Sequence, residues 1–439
     1  MIEAMPLILF LVLFALLLLG FPVAFTLGGV SFILGYMTFG VTFFNLLPLR
    51  VWGVMTNYVL IAVPLFVYMG VMLEKSGLAE ELLETMALLF GRLRGGLAIS
   101  VVVVGAMLGA STGIVGATGV TMGLLSLPTM PKRGYSPEMS TGTISASGTL
   151  GQIIPPSIVL VLLGSILNVS IGDMFMGAVL PGFVLVFLYL IWIVIVAIFW
   201  PKQAPAMPEE ELARFKGMAM LKRVLSAFVL PAVLVVAVLG SIFAGVASPT
   251  EAAAVGALGA TLLTIFQRKF SYATLKSVMA ETTHLTCMVF IILVGATAFG
   301  LVFRGMRGDA YLTRLILDAN MGPNTFLALV MVMIFVAGFF IDFIEITFII
   351  VPVVAPICVA LDMNLLWLGI LIAMNLQTSF LTPPFGFSLF YLKGVAPPQI
   401  RTGHIYRGII PFIVIQLIGV ALVILFPKMA TWLPDYLMK

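Results

Sequence analysis

The sequence predicts an all-α polytopic membrane protein with an inverted-topology repeat, two re-entrant helical hairpins and two broken helices. Three observations carry that prediction. First, of 439 residues 62% are hydrophobic and only 9% charged, with a mean hydropathy of +1.22. An ordinary soluble domain has about a quarter of its residues charged. Second, two apolar runs are too long for one crossing and too weakly interrupted for two. Third, prolines recur in the same order in the two halves of the chain.

The composition leaves too little polar surface to cover a globule in water. A soluble enzyme, a nucleic-acid binder and a disordered regulator are thereby excluded. The formal charge of +4 and pI near 9.0 come from Lys and Arg residues placed singly or in pairs between apolar runs. That placement fits loop charges that set topology, not a nucleic-acid surface. Cys287 and Cys358 each lie alone in an apolar run, so no disulfide framework or cysteine metal site is indicated. The first apolar stretch runs from Pro6 past Gly20 without a cleavage site or a basic start, and no cleavable signal peptide is expected.

A spanning helix needs about 20 apolar residues. Apolar runs fall at about 6–20, 23–44, 57–73, 95–131, 137–170, 175–200, 224–247, 250–267, 285–303, 323–361, 364–393 and 408–427. Run 95–131 has Arg92 and Arg94 before it and Lys132 and Arg133 after it. Basic residues prefer the cytoplasm, so both ends lie inside. The run is then a hairpin turning near Gly109-Ala-Ser-Thr-Gly113. Run 323–361, flanked by Asp318 and Asp362, is a second hairpin turning near Asp342, and parity places its ends outside.

Counting from these anchors, the five basic residues between Lys202 and Arg223 are cytoplasmic, as are Arg268, Lys269, Lys393, Arg401, Arg407 and Lys75. The N-terminus is outside. Arg304, Arg307 and Arg314 are the exceptions, in a loop shared with Asp309 and Asp318. The two halves then have opposite orientation. Pro22 and Pro249 are 227 apart, Pro128 and Pro356 are 228, the pairs Pro155-Pro156 and Pro383-Pro384 are 228, and Pro201 and Pro427 are 226. In order, these matches argue for an inverted repeat of roughly residues 5–201 and 224–427, an arrangement common in secondary transporters.

Two adjacent prolines inside a membrane helix should unwind it, because each removes a hydrogen bond and clashes with the preceding turn. The freed carbonyls need partners, and a bound cation is one. An isolated proline kink satisfied by neighbours is the bland alternative. Here the pair recurs in both halves, each about 40 residues after a polar hairpin tip, which favours ion and substrate binding. The first tip is Gly- and hydroxyl-rich, suited to close backbone approach or oxygen ligation, with helix packing as the rival for Gly116 and Gly119. The second holds Asp342 and Glu345. A mid-membrane acid costs about 2.5–3.5 kcal/mol on insertion scales and is functional by default; the alternative is solvation in a wet cavity. Ser145, Ser147, Thr149 and Gln152 flank the first break, and Asn375, Gln377, Thr378 and Ser379 the second.

Gly-Ala-Ser-Thr-Gly113 also fits the nucleophile pattern G-x-S-x-G, with Ser111 at its centre. An intramembrane serine protease needs a partner base, and His284 and His404 fall at the cytoplasmic ends of other segments. That enzyme reading is weak.

The stretch Gly109–Ser157, with Lys-Arg-Gly-Tyr135 and Gly-Thr-Leu-Gly-Gln-Ile-Ile-Pro-Pro-Ser157, resembles the large membrane subunit of TRAP (tripartite ATP-independent periplasmic) transporters. Ser248-Pro-Thr-Glu-Ala-Ala-Ala-Val-Gly256 and Asn375-Leu-Gln-Thr-Ser-Phe-Leu-Thr-Pro-Pro-Phe-Gly386 are similar to two further signatures of that family. The likeness spans essentially the whole chain. It implies a non-enzymatic, multi-pass protein of the bacterial inner membrane with an elevator-type fold of the ion transporter superfamily. It implies as partners a small four-helix membrane subunit, a periplasmic substrate-binding protein and the lipid bilayer. Sodium is the implied coupling ion, with no cofactor, and a small organic acid the implied substrate.

By that resemblance one sodium site falls on Gly109, Gly113, Gly151, Ile154 and Pro156. A second falls on Gly338, Ser379, Thr382 and Phe385. Several of these act through backbone carbonyls. Substrate contacts are expected from Ser111, Thr112, Gln152, Asp342, Glu345, Asn375, Gln377 and Thr378. The sequence departs from the family at Gly109 and Gly113, where a polar residue is common, and at Asp342–Glu345, where a Thr-Pro pair is common. The implied division is scaffold 1–73, transport half 74–170, scaffold and cytoplasmic loop 171–284, transport half 285–400, and a C-terminal scaffold helix 401–439. The main rival is a stand-alone sodium/carboxylate symporter of the same superfamily. A passive channel is disfavoured by the two matched closed hairpins.

Overall fold

A computed structural model describes residues 4–112, 115–208, 217–383 and 386–437, and among these there is no strand. Among the described residues six helices are long and apolar enough to cross a membrane: Tyr58–Lys75, Ile171–Phe199, Met218–Phe243, Pro249–Phe266, Tyr272–Gly305 and Thr402–Leu425. Lipid offers no hydrogen-bond partners to the backbone, so a chain of this composition folds into helices that satisfy it internally.

Both long runs are hairpins. Run 95–131 divides into Gly96–Thr112 and Val115–Ser126. Its feet are tied together: the Tyr135 hydroxyl accepts from the Leu97 N–H at 3.2 Å. The loop after Trp200 closes over the same end, with Gly95 N–H on Ala204 O, Ser136 N–H on Gln203 O and Met207 N–H on Gly91 O, at 2.8–3.1 Å. Burial pushes the Tyr135 phenol up to about 12, so it stays a neutral strut. Run 323–361 becomes Pro323–Ala337 and a pair, Phe343–Ile349 and Val351–Ala360, bent by 48°. Pro352 explains the bend, since it cannot donate to the carbonyl four residues earlier and its ring crowds that turn.

Both helices break where the prolyl pairs are expected to break them, Pro384 itself lying outside the described residues. Pro137–Thr149 ends in a short 3-10 turn at Leu150–Gln152, and the chain resumes as Ile158–Leu167. Leu365–Leu381 stops at Thr382 and resumes as Phe387–Val395.

Short amphipathic helices are what the run-based reading missed. Leu78–Phe90 buries Leu78, Ala79, Leu82, Leu83, Met86 and Ala87 and carries Glu80, Glu81 and Glu84 on its other face. It packs on the first hairpin, as Gly308–Asp318 packs on the second. Each arm starts from a left-handed residue, Gly77 (φ +74°) and Arg307 (φ +57°), at repeat-equivalent positions 230 apart. Leu47–Met55 and Lys428–Leu437 are two more helices of this kind.

Two hydrogen bonds place the repeat axis. Gln377 Nε2 donates to Thr149 Oγ1 at 3.3 Å, and Gln416 Nε2 donates to the Tyr189 hydroxyl at 2.6 Å. Their separations, 228 and 227, are the repeat offset, so each residue meets its own counterpart. Only residues on a pseudo-twofold axis can do so.

The helices pack in two groups. The hairpins and broken helices lie with Ile171–Phe199, Thr402–Leu425 and Lys428–Leu437. Gly142 and Gly408 bring the first broken helix against Thr402–Leu425 so closely that a Cβ on Gly408 would lie 2.2 Å from Glu138 O. Val23–Phe39, Ala62–Lys75, Pro249–Phe266 and Tyr272–Gly305 form the other group. A Cβ on Gly295 would lie 2.5 Å from Ala24 O, so small residues again set the approach. This grouping differs from the division expected from the sequence. A boundary between 284 and 285 cuts the continuous helix Tyr272–Gly305, and 171–199 and 402–425 pack with the hairpins.

Three of the expected cytoplasmic charges form ion pairs. Lys75 pairs with Glu281 at 3.0 Å, Lys269 with Glu81 at 2.5 Å, and Arg223 with Glu84. The last two pairs join the first arm to the chain just after Pro249–Phe266 and to Met218–Val224, and the first joins Ala62–Lys75 to Tyr272–Gly305.

Candidate ion and substrate site at the hairpin tips

Each hairpin tip meets the break of its own repeat. At the first junction, a Cβ on Gly109 would lie 2.6 Å from both N and Cα of Gly151. A Cβ on Gly151 would lie 2.7 Å from Gly109 O. No side chain fits between them, so backbone lies on backbone. The approach is kept along the hairpin, where Gly105 abuts Ser147 and Gly148 abuts Gly119. Pro155 and Pro156 lack N–H groups, so the carbonyls of Gly151 and Gln152 lose their helical donors. The Ser157 hydroxyl takes Gln152 O at 2.8 Å. Ile154 and Pro156 follow in the same unwound stretch.

At the second junction, a Cβ on Gly338 would lie 2.1 Å from Ser379 Oγ. Gly109 and Gly338 are 229 apart, Gly151 and Ser379 228, so the two contacts are one contact repeated. The Ser379 hydroxyl donates to Leu376 O and the Thr382 hydroxyl to Thr378 O, both at 2.8 Å. Thr382 is extended and ends the helix. The structure therefore brings Gly109 against Gly151, with Ile154 and Pro156 a few residues further along the same unwound stretch, and separately Gly338 against Ser379, whose carbonyl accepts the Thr382 N–H. Gly113 and Phe385 lie outside the described residues.

Between the tips and the helices Ala62–Lys75 and Tyr272–Gly305 is a cavity of about 410 Å³. Glu74, Lys75 and Glu281 line it on the helix side. Gly116, Asp342, Phe343, Phe380, Phe387 and Tyr391 line it on the tip side. One short hydrogen bond crosses the gap, from the Thr121 hydroxyl on the first hairpin to Glu74 Oε1 at 2.5 Å. A larger cavity of about 760 Å³ lies between Leu46–Leu60, Ser165–Asn168, Tyr272–Gly305 and the second hairpin, and carries Arg50, Arg304 and Asp309.

Of the residues expected to contact substrate, Asp342 lines the tip cavity. Its Oδ1 accepts the Phe343 N–H at 2.8 Å, and Glu345 Oε2 accepts the Asp342 N–H at 3.1 Å. The two acids thus cap the helix Phe343–Ile349 as a capping box. Asn375, Gln377 and Thr378 do not line the cavity. Asn375 Nδ2 donates to Met331 O at 2.7 Å, tying the second break to its hairpin, and Thr378 bonds Met374 O and Gln416. Gln152 is fully buried, with neither amide atom hydrogen-bonded among the described residues. The side chains of Ser111 and Thr112 lie outside the described residues. Glu74, Lys75, Glu281, Thr121 and Tyr391 were not anticipated. For Glu74 and Glu281 the only signal is an acid at the end of an apolar run, beside the loop charges.

For the protease reading, His404 is occupied as a helix cap, its Nδ1 accepting the Arg401 N–H at 3.3 Å. His284 lies within the long helix Tyr272–Gly305.

Two inverted halves, each a hairpin meeting a broken helix, define a membrane permease of the secondary-transporter kind. The chain superposes on the crystal structure of the Alcanivorax borkumensis YdaH transporter with a TM-score of 0.61, at 13% identity, covering 89% of this chain and 88% of that one. That likeness is one of fold. The family model described as "Tripartite ATP-independent periplasmic transporter, DctM component" matches residues 10–429, and the chain belongs to that family. It is 30% identical to the C4-dicarboxylate TRAP transporter large permease protein DctM of Vibrio cholerae, over 98% of each chain. It is 31% identical to the ectoine large permease TeaC of Halomonas elongata and 28% identical to the sialic acid large permease SiaM of Vibrio cholerae, each over 96% of both chains. The protein is thus a transport protein and not a hydrolase, a multi-pass large permease of the bacterial inner membrane.

Proposed function

We propose that this chain is the permease of a sodium-coupled importer that receives a small organic acid from a periplasmic binding protein and works with a small membrane subunit. The observation that carries the proposal is the paired junction: the same tip-to-break contact, with donorless prolines, at equivalent places in both halves. Unwound carbonyls beside a close backbone contact suit a hard, weakly held monovalent cation. Gly109, Gly113, Gly151, Ile154 and Pro156 would hold one sodium ion; Gly338, Ser379, Thr382 and Phe385 would hold the other. Sodium would fix each tip against its break and so shape the cavity between them.

In an elevator cycle the hairpins, broken helices and the two long helices packed with them would move as a body against the other group. The substrate carboxylate would then be held by Ser111 and Thr112 and by the N–H groups opening the helix Phe387–Val395. Carboxylate, ectoine and sialic acid relatives support an organic acid as cargo.

The test is thermal unfolding of the purified protein in sodium against choline at matched ionic strength. A ligand at about 100 times its Kd stabilises by about 2.7 kcal/mol. A sodium-specific rise, lost in Gly151→Ala and in Thr382→Ala, is expected. Equal midpoints in the two salts would remove sodium from the mechanism. A response to acid instead would shift coupling to protons on Asp342 and Glu345.

A further inference from the structure

The tip cavity has a charge and a lining that select among organic acids. We propose that its cargo is zwitterionic, a small carboxylate that also carries a cationic centre, and not a dianion. This rests on the preceding reading that the cavity is where cargo sits.

The fixed charges of the cavity are Glu74, Glu281 and Asp342 against Lys75. Lys75 is already engaged, 3.0 Å from Glu281. Glu74 receives only a neutral hydroxyl from Thr121, and its second oxygen, Oε2, is buried with no hydrogen-bond partner among the described residues. Asp342 receives a backbone N–H on Oδ1. Three carboxylates therefore share the cavity with one ammonium group, and two of the acids, Glu74 and Asp342, face it from opposite walls without an ion pair. Arg50 and Arg304 line the other cavity instead.

Apart from these acids the tip side is aromatic. Phe343, Phe380, Phe387 and Tyr391 line it, and the rings of Phe380 and Phe387 meet edge to face with centroids 5.4 Å apart. Aromatic faces attract a cation through the ring quadrupole and offer an anion nothing. Carboxylates beside aromatic faces make a site for an ammonium or amidinium group. A dianion placed here would meet two like charges in a partly desolvated space, where repulsion is weakly screened. A zwitterion brings the missing cation to Glu74 and Asp342 and keeps one carboxylate for the helix start at Phe387, which lines the same cavity.

The experiment is a thermal-shift titration of the purified permease with its small membrane subunit, in saturating sodium, using ectoine, glycine betaine and succinate as probes. The zwitterions should raise the unfolding midpoint and succinate should not. Asp342→Asn keeps a good helix cap, and Glu74→Gln keeps the acceptor for Thr121. Each should raise the zwitterion concentration needed for half-effect about tenfold, the loss expected for one charge-assisted contact, while the sodium-only shift persists. Stabilisation by succinate equal to that by the zwitterions would overturn the proposal. So would no response to the zwitterions, or titrations unchanged in both variants. Loss of the sodium-only shift in the unmutated protein, with the zwitterion response intact, would instead strike the coupling ion and leave this inference standing.

Discussion

The two tip–break junctions occupy equivalent places but are made of different material. At the first, Gly109 meets Gly151 through backbone alone; at the second, Gly338 meets the side chain of Ser379. Backbone cannot rotate out of the way and a serine side chain can. The first hairpin is also anchored at its feet by Tyr135 and the loop after Trp200, whereas the second hairpin carries an acidic capping box at its tip. Duplication has therefore conserved the contact while leaving the second copy freer to change its chemistry.

The largest effect should come from Gly151→Ala and Gly109→Ala. Either methyl would enter backbone atoms at 2.6 Å, and overpacking of this kind costs about 1–3 kcal/mol. Sodium-dependent stabilisation and uptake should both collapse, and no second-site change in the facing residue can relieve a clash with main chain. A Gly109→Ala protein with unaltered sodium activation would refute the rigid first junction.

The second junction should behave otherwise. Gly338→Ala should cost less, and Ser379→Gly in the same protein should recover most of the lost thermal stability, because it removes the side chain that the methyl would strike. Recovered stability without a recovered sodium response would also separate the packing of Ser379 from ion binding. A double-mutant cycle gives the coupling directly. Additive losses would mean that the two junctions are equally rigid.

The hydrogen bond from Thr121 to Glu74 links the first hairpin to a helix of the other packing group, and no such bond is found for the second hairpin among the described residues. Thr121→Val should lower stability by about 1–2 kcal/mol, since it leaves a buried acceptor without its donor. It should also raise the exchange of the hairpin against that helix, read as faster modification of a cysteine placed at Val120. An unchanged rate would mean that the bond does not restrain the hairpin.

Much of this was legible in the sequence, and the exceptions have a physical pattern. Arg92, Arg94, Lys132 and Arg133 placed both feet of the first hairpin on one side, and the prolyl pairs placed both breaks, because charge and missing donors act locally. The arms Leu78–Phe90 and Gly308–Asp318 escaped because a helix lying along an interface carries charge and never forms a long apolar run. Asn375, Gln377 and Thr378 read as substrate groups because polarity in a membrane signals function. In the structure Asn375 bonds Met331 O, Thr378 bonds Met374 O and Gln416, and Gln377 bonds Thr149 across the repeat axis. The acids at 74 and 281 have the opposite history, since charges at the ends of apolar runs are indistinguishable from loop charges until the helices are packed.

The smallest effect should separate the two roles of the acids at the second tip. Glu345 does not line the cavity, and its carboxylate accepts the Asp342 N–H, a task a glutamine oxygen performs equally well in a capping box. Glu345→Gln should therefore change stability by less than about 0.5 kcal/mol and leave sodium activation as it was. Asp342→Ala removes both the cap and the cavity charge and should cost about 1 kcal/mol. A Glu345→Gln protein that folds normally but loses its response to sodium or to pH would assign that acid to coupling. The second tip would then differ from the first in mechanism as well as in packing.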